Sequence, residues 1–311
     1  MTQVNTVLGT IDSTELGAIL LHEHLAISSA GIPQVFPQFM DKNVAREAGV
    51  QALDAAYAEG IRSYVDVTTM DLGRDMGVIK AIAEQSNVHV IIATGIWLDI
   101  PRALITGVTV DQLATAFVRE IEVGIENTDI KAGVIKVATS EQGVTPANEL
   151  VLRAASRAAI HTGVPISTHT SASAKVGNDQ IAIFEDEGVN LKKVYIGHSD
   201  GTDDLEYLRG LGDKQCIIGM DTYGSGINWE ERTAIVAALI EQGYETKLAL
   251  SHDIALSSLR VPDQESTAPS NPDGICLISR KVLPRLRELG ISDRSIETMM
   301  VAVGKNLFEG N

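Results

Sequence analysis

Val88-His89-Val90-Ile91-Ile92-Ala93 is apolar at all but one position and mostly β-branched. A strand with one wet face alternates apolar and polar residues. A run without alternation suits a strand buried on both faces, and such strands belong to parallel sheets covered by helices. Working outward, strand-like runs recur at 18–24, 62–67, 88–95, 132–138, 164–169, 193–198, 215–221 and 247–252. Between them lie helical patterns such as 43–59, with Val44, Ala48, Ala52, Ala55 and Ala56, and those at 110–126, 146–162 and 229–242. Gly60, Gly163, Gly188 and Gly243 fall at or just past helix ends, where a left-handed residue is needed. Asp111 and Thr145 are expected N-caps, the second followed by Pro146 at the first helical position. Eight strand-like runs alternating with helices in 311 residues predict an α/β fold, a (β/α)8 TIM barrel. A doubly wound sheet is the competitor, but Leu25 to Phe39, after the first strand, contains no Gly-rich phosphate loop.

Residues 4–17 read as a hairpin leading into the first strand, so residues 1–311 are expected to form a single domain whose first 17 residues are an N-terminal hairpin. The stretch 254–273 is rich in Ser and Pro and has no periodicity. It is expected to be an active-site loop over the barrel mouth, the alternative being a surface excursion.

The net charge of −16 argues against nucleic acid or an anionic membrane as a partner. No apolar run reaches the roughly 18 residues of a membrane span. No Lys or Arg precedes Lys42, so the start lacks the basic region of a signal peptide, and a cytoplasmic protein is expected. Two cysteines, Cys216 and Cys276, make neither a disulfide framework nor a thiolate metal site.

Barrel enzymes place their chemistry at the C-terminal strand ends. Here those ends carry His22 and His24, Lys136, His169, His198, Asp221, and His252-Asp253. His22 and His24 are two residues apart, so an extended strand turns both imidazoles to one face, where they can serve one metal ion. The remaining histidines, His89 and His161, fall at a strand start and late in a helix and are read as structural or solvated. Lys136 stands among apolar neighbours, where an ammonium is costly. Three readings are open: a carbamate bridging two metal ions, a Schiff-base nucleophile, or a lysine paired with an acid such as Glu141. Four histidines, a lysine and an aspartate suit two divalent ions, zinc first, with cobalt, manganese and iron as alternatives. Two such ions about 3.5–4 Å apart can hold a hydroxide that attacks near neutral pH.

These residues occur in the local wordings Gly17-x3-Leu21-His22-Glu23-His24, Ile130-Lys131-Ala132-Gly133-x2-Lys136, Pro165-Ile166-Ser167-Thr168-His169-Thr170, Gly197-His198, Gly219-Met220-Asp221 and Leu250-Ser251-His252-Asp253. In that order the chain resembles the phosphotriesterase family of the amidohydrolase superfamily along nearly its whole length. The resemblance implies that His22, His24 and Asp253 hold a buried metal and His169 and His198 a more exposed one. It implies that Lys136, as N6-carboxylysine, joins both, and that Asp253 relays the proton with help from Asp221. It also implies a homodimer. The substrate shell departs from the family's lactonase branch: Trp97 stands where a tyrosine is usual, and Met220-Asp221-Thr222-Tyr223 where Met-Asp-Arg is usual. Trp97, Thr222 and Tyr223 are therefore the expected substrate contacts, Trp97 being either a pocket wall or an aromatic packed under a loop.

The expected function is a binuclear metal-dependent hydrolase whose bridging hydroxide attacks a carboxylic ester or lactone carbonyl. The alternatives are an organophosphate triester hydrolase on the same scaffold and a barrel that only binds a small molecule.

Overall fold

The computed structural model describes residues 2–226, 228–258 and 271–311. The chain opens with an antiparallel hairpin, β1 (Gln3–Thr6) and β2 (Gly9–Asp12), in the register Gln3 to Asp12 and Thr6 to Gly9. The remaining strands are β3 (Ala18–Ile27), β4 (Ile61–Asp66), β5 (His89–Gly95), β6 (Val134–Ala138), β7 (Ile166–His169), β8 (Val194–Ile196), β9 (Ile217–Met220), β10 (Leu248–Leu250) and β11 (Ala255–Ser258). All nine pair in parallel, in the order β10-β9-β8-β7-β6-β5-β4-β3-β11.

The sheet's two edges come from one stretch of chain. β10 pairs with β9 and β11 with β3, and only residues 251–254 separate them. Across that gap Ser251 N donates to Met220 O, Asp253 N to His22 O, and His24 N to Ile254 O. The eighth strand is thus split between its two neighbours, and the split closes the (β/α)8 barrel. The expected single run at 247–252 is corrected accordingly. Ala255–Ser258, read as the start of a loop, forms the second half of that strand. Residues 259–270, the middle of the expected active-site loop, lie outside the described residues.

Alternation along each strand divides the core into two layers. On β5, Val90 and Ile92 face outward to a cluster that includes the helix residues Leu53, Ile79 and Phe117. Ile91 and Ala93 face inward, with Ile19, Val65, Val134, Ile217 and Ala249 from other strands. This two-sided burial is why the sequence runs apolar without alternation.

The helices that space the strands begin and end where their caps dictate. Pro146–Thr162 starts at Thr145, whose hydroxyl accepts from Asn148 N, and ends at Gly163 with φ 77°. Val176–Glu187 ends at Gly188 with φ 83°. Val110–Glu122 differs from expectation: its N-cap is Thr109, not Asp111, because Thr109 and Gln112 satisfy each other's backbone N–H groups. Asp111 instead lies in the first turn and pairs with Arg157 at 2.6 Å. No helix among the described residues is long and apolar enough to cross a membrane.

Candidate metal centre

His22 and His24 lie on β3, both buried. The pairing of β3 with β4 shifts register between Leu20 and Glu23. One extra residue in a strand reverses which face the following side chains take. Leu21 belongs to the inner cluster, and past the shift His22 also faces the interior, its ring 5.7 Å from Tyr195 and 5.0 Å from His198. His22 and His24 share a face, as their spacing predicts. Glu23 faces the other way.

Each of three imidazoles is held at Nδ1 by an oxygen and presents Nε2 to a common space. His22 Nδ1 lies 3.1 Å from Asp221 Oδ2, and its Nε2 lies 2.6 Å from Lys136 Nζ and 3.8 Å from Asp253 Oδ1. His198 Nδ1 lies 2.8 Å from Asp221 Oδ1, and its Nε2 3.7 Å from Asp253 Oδ2. His24 Nδ1 meets Thr68 Oγ1 at 2.8 Å, and its Nε2 lies 3.3 Å from Asp253 Oδ1. An ionised carboxylate only accepts, so Asp221 fixes the Nδ1–H tautomer of His22 and His198 and leaves their Nε2 lone pairs directed inward. This is the usual support for histidine bound to a metal. Asp221 also accepts from Tyr195 OH and from the backbone N–H of His198. His169 completes the set, its ring 4.3 Å from His198 and nearly perpendicular to it.

Burial and charge set the protonation states. His22 is pushed well below its ordinary value, first by burial and then by Lys136. His169 is pushed down to about 2 by burial, His198 and Lys136. His198 is opposed by burial, yet Asp221 more than compensates and raises it. Burial works against Asp253 ionising, but the hydrogen bond with His24 and the nearby imidazoles of His198 and His22 hold it well below the usual carboxylate range. Lys136, on β6, is 1% exposed. Burial pushes its amine down to about 8 against the pull of Asp253, Asp221 and Asp71. The sequence left a pairing with Glu141 open. Glu141 is exposed and accepts from Gln142 instead.

The six expected ligands, His22, His24, Lys136, His169, His198 and Asp253, line one cavity of about 230 Å3 together with Ile27, Leu72 and Trp97. Within it the ligand atoms of His22, His198 and Asp253 lie within 4.8 Å of one another, a spacing one metal ion can use. This tight trio crosses the division implied by resemblance, which gives His22 and Asp253 to one ion and His198 to the other. A larger cleft of about 350 Å3, between the hairpin and Lys80, Asp129 and Lys131, contains no histidine.

The other expected site residues fall differently. Trp97 lines the cavity and sets its edge against His169, centroids 5.7 Å apart. Asp221 stands behind the histidines rather than in the cavity. Thr222 is not a lining residue: its N–H and hydroxyl both donate to Asp200 Oδ2 at 2.9 Å. Tyr223 is fully buried and does not line the cavity either. Two carboxylates were not singled out from sequence. Asp71 accepts from Trp97 N, Asp99 N and Thr69 Oγ1, which fixes the loop bearing Trp97. Glu23 accepts from residues around Asp253. Their partners lie 26 or more and 228 or more residues away in the chain, apart from Thr69, so no local pattern marks them. His252, the fifth strand-end histidine, turns away from the cavity to Glu23.

A closed parallel barrel whose C-terminal mouth gathers imidazoles, a carboxylate and a buried amine is the architecture of a (β/α)8 enzyme. A sequence profile of the Phosphotriesterase family matches residues 2–308. The chain is 37% identical over 321 residues to the Phosphotriesterase homology protein of Mycobacterium tuberculosis, covering 99% of this chain and 98% of that one. It is 32% identical over 307 residues to the Aryldialkylphosphatase of Saccharolobus solfataricus, covering 96% and 97%. It is 24% identical over 340 residues to the N-acetyltaurine hydrolase of Mus musculus, covering 96% and 95%. The chain therefore belongs to the phosphotriesterase family, and it is a phosphotriesterase-like hydrolase of small molecules.

Proposed function

We propose that this chain is a metal-dependent hydrolase that opens a carboxylic ester or lactone. The observation that carries the reading is the inward convergence of the Nε2 atoms of His22, His24 and His198 on Asp253, with Lys136 beside them. His22, His24 and Asp253 would hold one divalent ion and His169 and His198 a second, with zinc as the first choice for donors of this kind. Lys136 would serve both after its neutral amine adds carbon dioxide and loses one proton. Two ions bound there supply Lewis acidity and lower the pKa of a water to near neutrality.

The chain's own residues do the rest. Asp221 holds His22 and His198 in the right tautomer and orientation. Asp253 remains ionised at the cavity wall and accepts, at a carboxylate oxygen, the proton that the attacking water loses. Ile27, Leu72 and Trp97 receive the apolar part of the substrate and exclude water from it. A planar acyl group with one apolar arm suits a cavity of about 230 Å3.

A second reading, hydrolysis of an organophosphate triester, is favoured by the similarity to the aryldialkylphosphatase. The proposal extends to a homodimer, which sedimentation tests directly: a species with the mass of one chain at working concentration would refute it. The main test combines metal analysis with a substrate panel of lactones, aryl esters and an aryl phosphotriester. About two ions per chain, and lactone or ester turnover above the phosphotriester, support the first reading. A phosphotriester that turns over far faster than every ester and lactone refutes it. A folded protein that takes up no ions leaves only a binding role.

A further inference from the structure

Glu23 sits between two proposed metal ligands yet belongs to neither side of the cavity. Its carboxylate is fully buried and points away from the metal centre. Oε1 accepts from Ser251 Oγ at 2.9 Å, His252 N at 2.7 Å and His252 Nδ1 at 2.8 Å, while Oε2 accepts from Ile254 N at 3.2 Å. These donors flank Asp253 on both sides. Asp253 itself has φ 51°, a left-handed conformation that L residues avoid. It falls where the eighth strand is split, so His252 and Ile254 turn their N–H groups to this carboxylate rather than to a strand carbonyl. Ser251 adds a second tie, since its hydroxyl donates to Glu23 and accepts from His22 N at 3.0 Å. His252 cannot exchange its tautomer freely: Ile278 N–H donates to its Nε2 at 3.3 Å, leaving Nδ1–H for Glu23.

We propose that Glu23 is a positioning residue that holds Asp253 in its left-handed, cavity-facing conformation from the outer side of the barrel wall. The proposal rests on the reading of Asp253 as a metal ligand and proton acceptor. Glu23 offers acceptors on both oxygens, and both are used. A glutamine of the same shape would bring its NH2 against an N–H, whichever way it turned. The loss would therefore be one of hydrogen bonding rather than of packing.

The test uses the full chain as wild type, Glu23→Gln, His252→Asn and His252→Leu. In metal-free protein, amide hydrogen exchange over 248–258 should quicken by about tenfold or more in Glu23→Gln and stay unchanged elsewhere. Titration with Zn2+ or Co2+ should show affinity lowered by about 10–100-fold, the usual effect of losing such support. kcat should fall with KM little changed. His252→Asn keeps an N–H near the place of Nδ1–H and should bind ions within about threefold of wild type, whereas His252→Leu should resemble Glu23→Gln. The two His252 variants equally lose the bond from Ile278, so the pair decides the matter even if Glu23→Gln fails to fold. Wild-type exchange in Glu23→Gln, or faster exchange with undiminished ion affinity, overturns the proposal. So does equal ion affinity in the two His252 variants. A wild type that takes up no ions refutes the functional reading instead, while the exchange comparison still reports on the hold of Glu23 over residues 251–254.

Discussion

Burying Lys136 inside β6 has a cost that can be measured without substrate. Its amine is pushed down from 10.5 to about 8 in the folded chain. Below pH 8 both folded and unfolded states carry the proton, and the folded state bears the full penalty of a buried ammonium. Between pH 8 and 10.5 the unfolded state still binds the proton and the folded state does not, so stability rises with pH. For a shift of this size the rise is about 3 kcal/mol. Urea unfolding of metal-free protein in bicarbonate-free buffer should show that rise in wild type, and Lys136→Met should lack it, bind no ion pair and be inactive. Parallel pH profiles of the two proteins would contradict the assignment. Trp97 supports a separate prediction. Its indole lines the cavity against His169, and Asp71 holds its backbone. Trp97→Ala should raise KM by about tenfold, about 1.4 kcal/mol of lost contact, for substrates with an apolar arm. kcat should move less, and a substrate with no such arm should show no change in KM. Steady-state kinetics on two matched esters would check both.

Elements place these residues, and the strand β8 shows how narrow the tolerance is. Gly197 follows β8, and a Cβ there would lie 2.2 Å from Thr168 O, 2.9 Å from His22 Cε1 and 3.0 Å from Asp221 Oδ2. The first contact is backbone and cannot swing aside. Gly197→Ala should therefore cost about 2–3 kcal/mol by urea unfolding and weaken ion binding together with stability, because the same displacement moves His22 and Asp221. A variant with wild-type ion affinity would show that the strand adapts. The elements also mark where sequence reading reaches its limit. Apolar runs without alternation, such as Val88 to Ala93, revealed the parallel strands, because burial on both faces leaves a compositional trace. The His22 and His24 spacing revealed a shared face, and four of the five strand-end histidines, with Lys136 and Asp253, do line the cavity, while His252 turns away to Glu23. The register shift beside Leu20 left no such trace, since one extra residue changes direction without changing composition. Ala255–Ser258 is too polar and too short to stand out from the Ser- and Pro-rich sequence that follows it. Thr222 and Tyr223 were expected from the place where the family's wording carries Met-Asp-Arg, and the actual turn sends Thr222 to Asp200 and buries Tyr223.

At the scale of the whole molecule the barrel separates a chemical end from a structural one. The cavity opens where β3, β6, β7 and the split eighth strand end. The opposite end is closed by the helix Val303–Glu309, whose Val303, Leu307 and Phe308 join the inner cluster of Ile19, Leu21, Val65 and Ile217. Lys193, at the start of β8, donates to Phe308 O at 2.7 Å, and Ser13, ahead of β3, donates to Glu309 at 2.7 Å. The C-terminal helix thus ties together strand starts that are far apart in sequence. Leu307 is 3% exposed, so Leu307→Ala should leave a cavity and cost about 2–5 kcal/mol. The cavity lined by the proposed metal ligands lies beyond the packed interior, at the far end of the same strands. Function and stability should therefore part company in this variant: its unfolding midpoint falls, while kcat and ion content well below that midpoint stay within about twofold of wild type. Thermal unfolding with metal analysis and kinetics on one preparation reads all three. A proportionate loss of activity at low temperature would mean that the packed layers transmit a disturbance along the strands, and that the two ends are not independent.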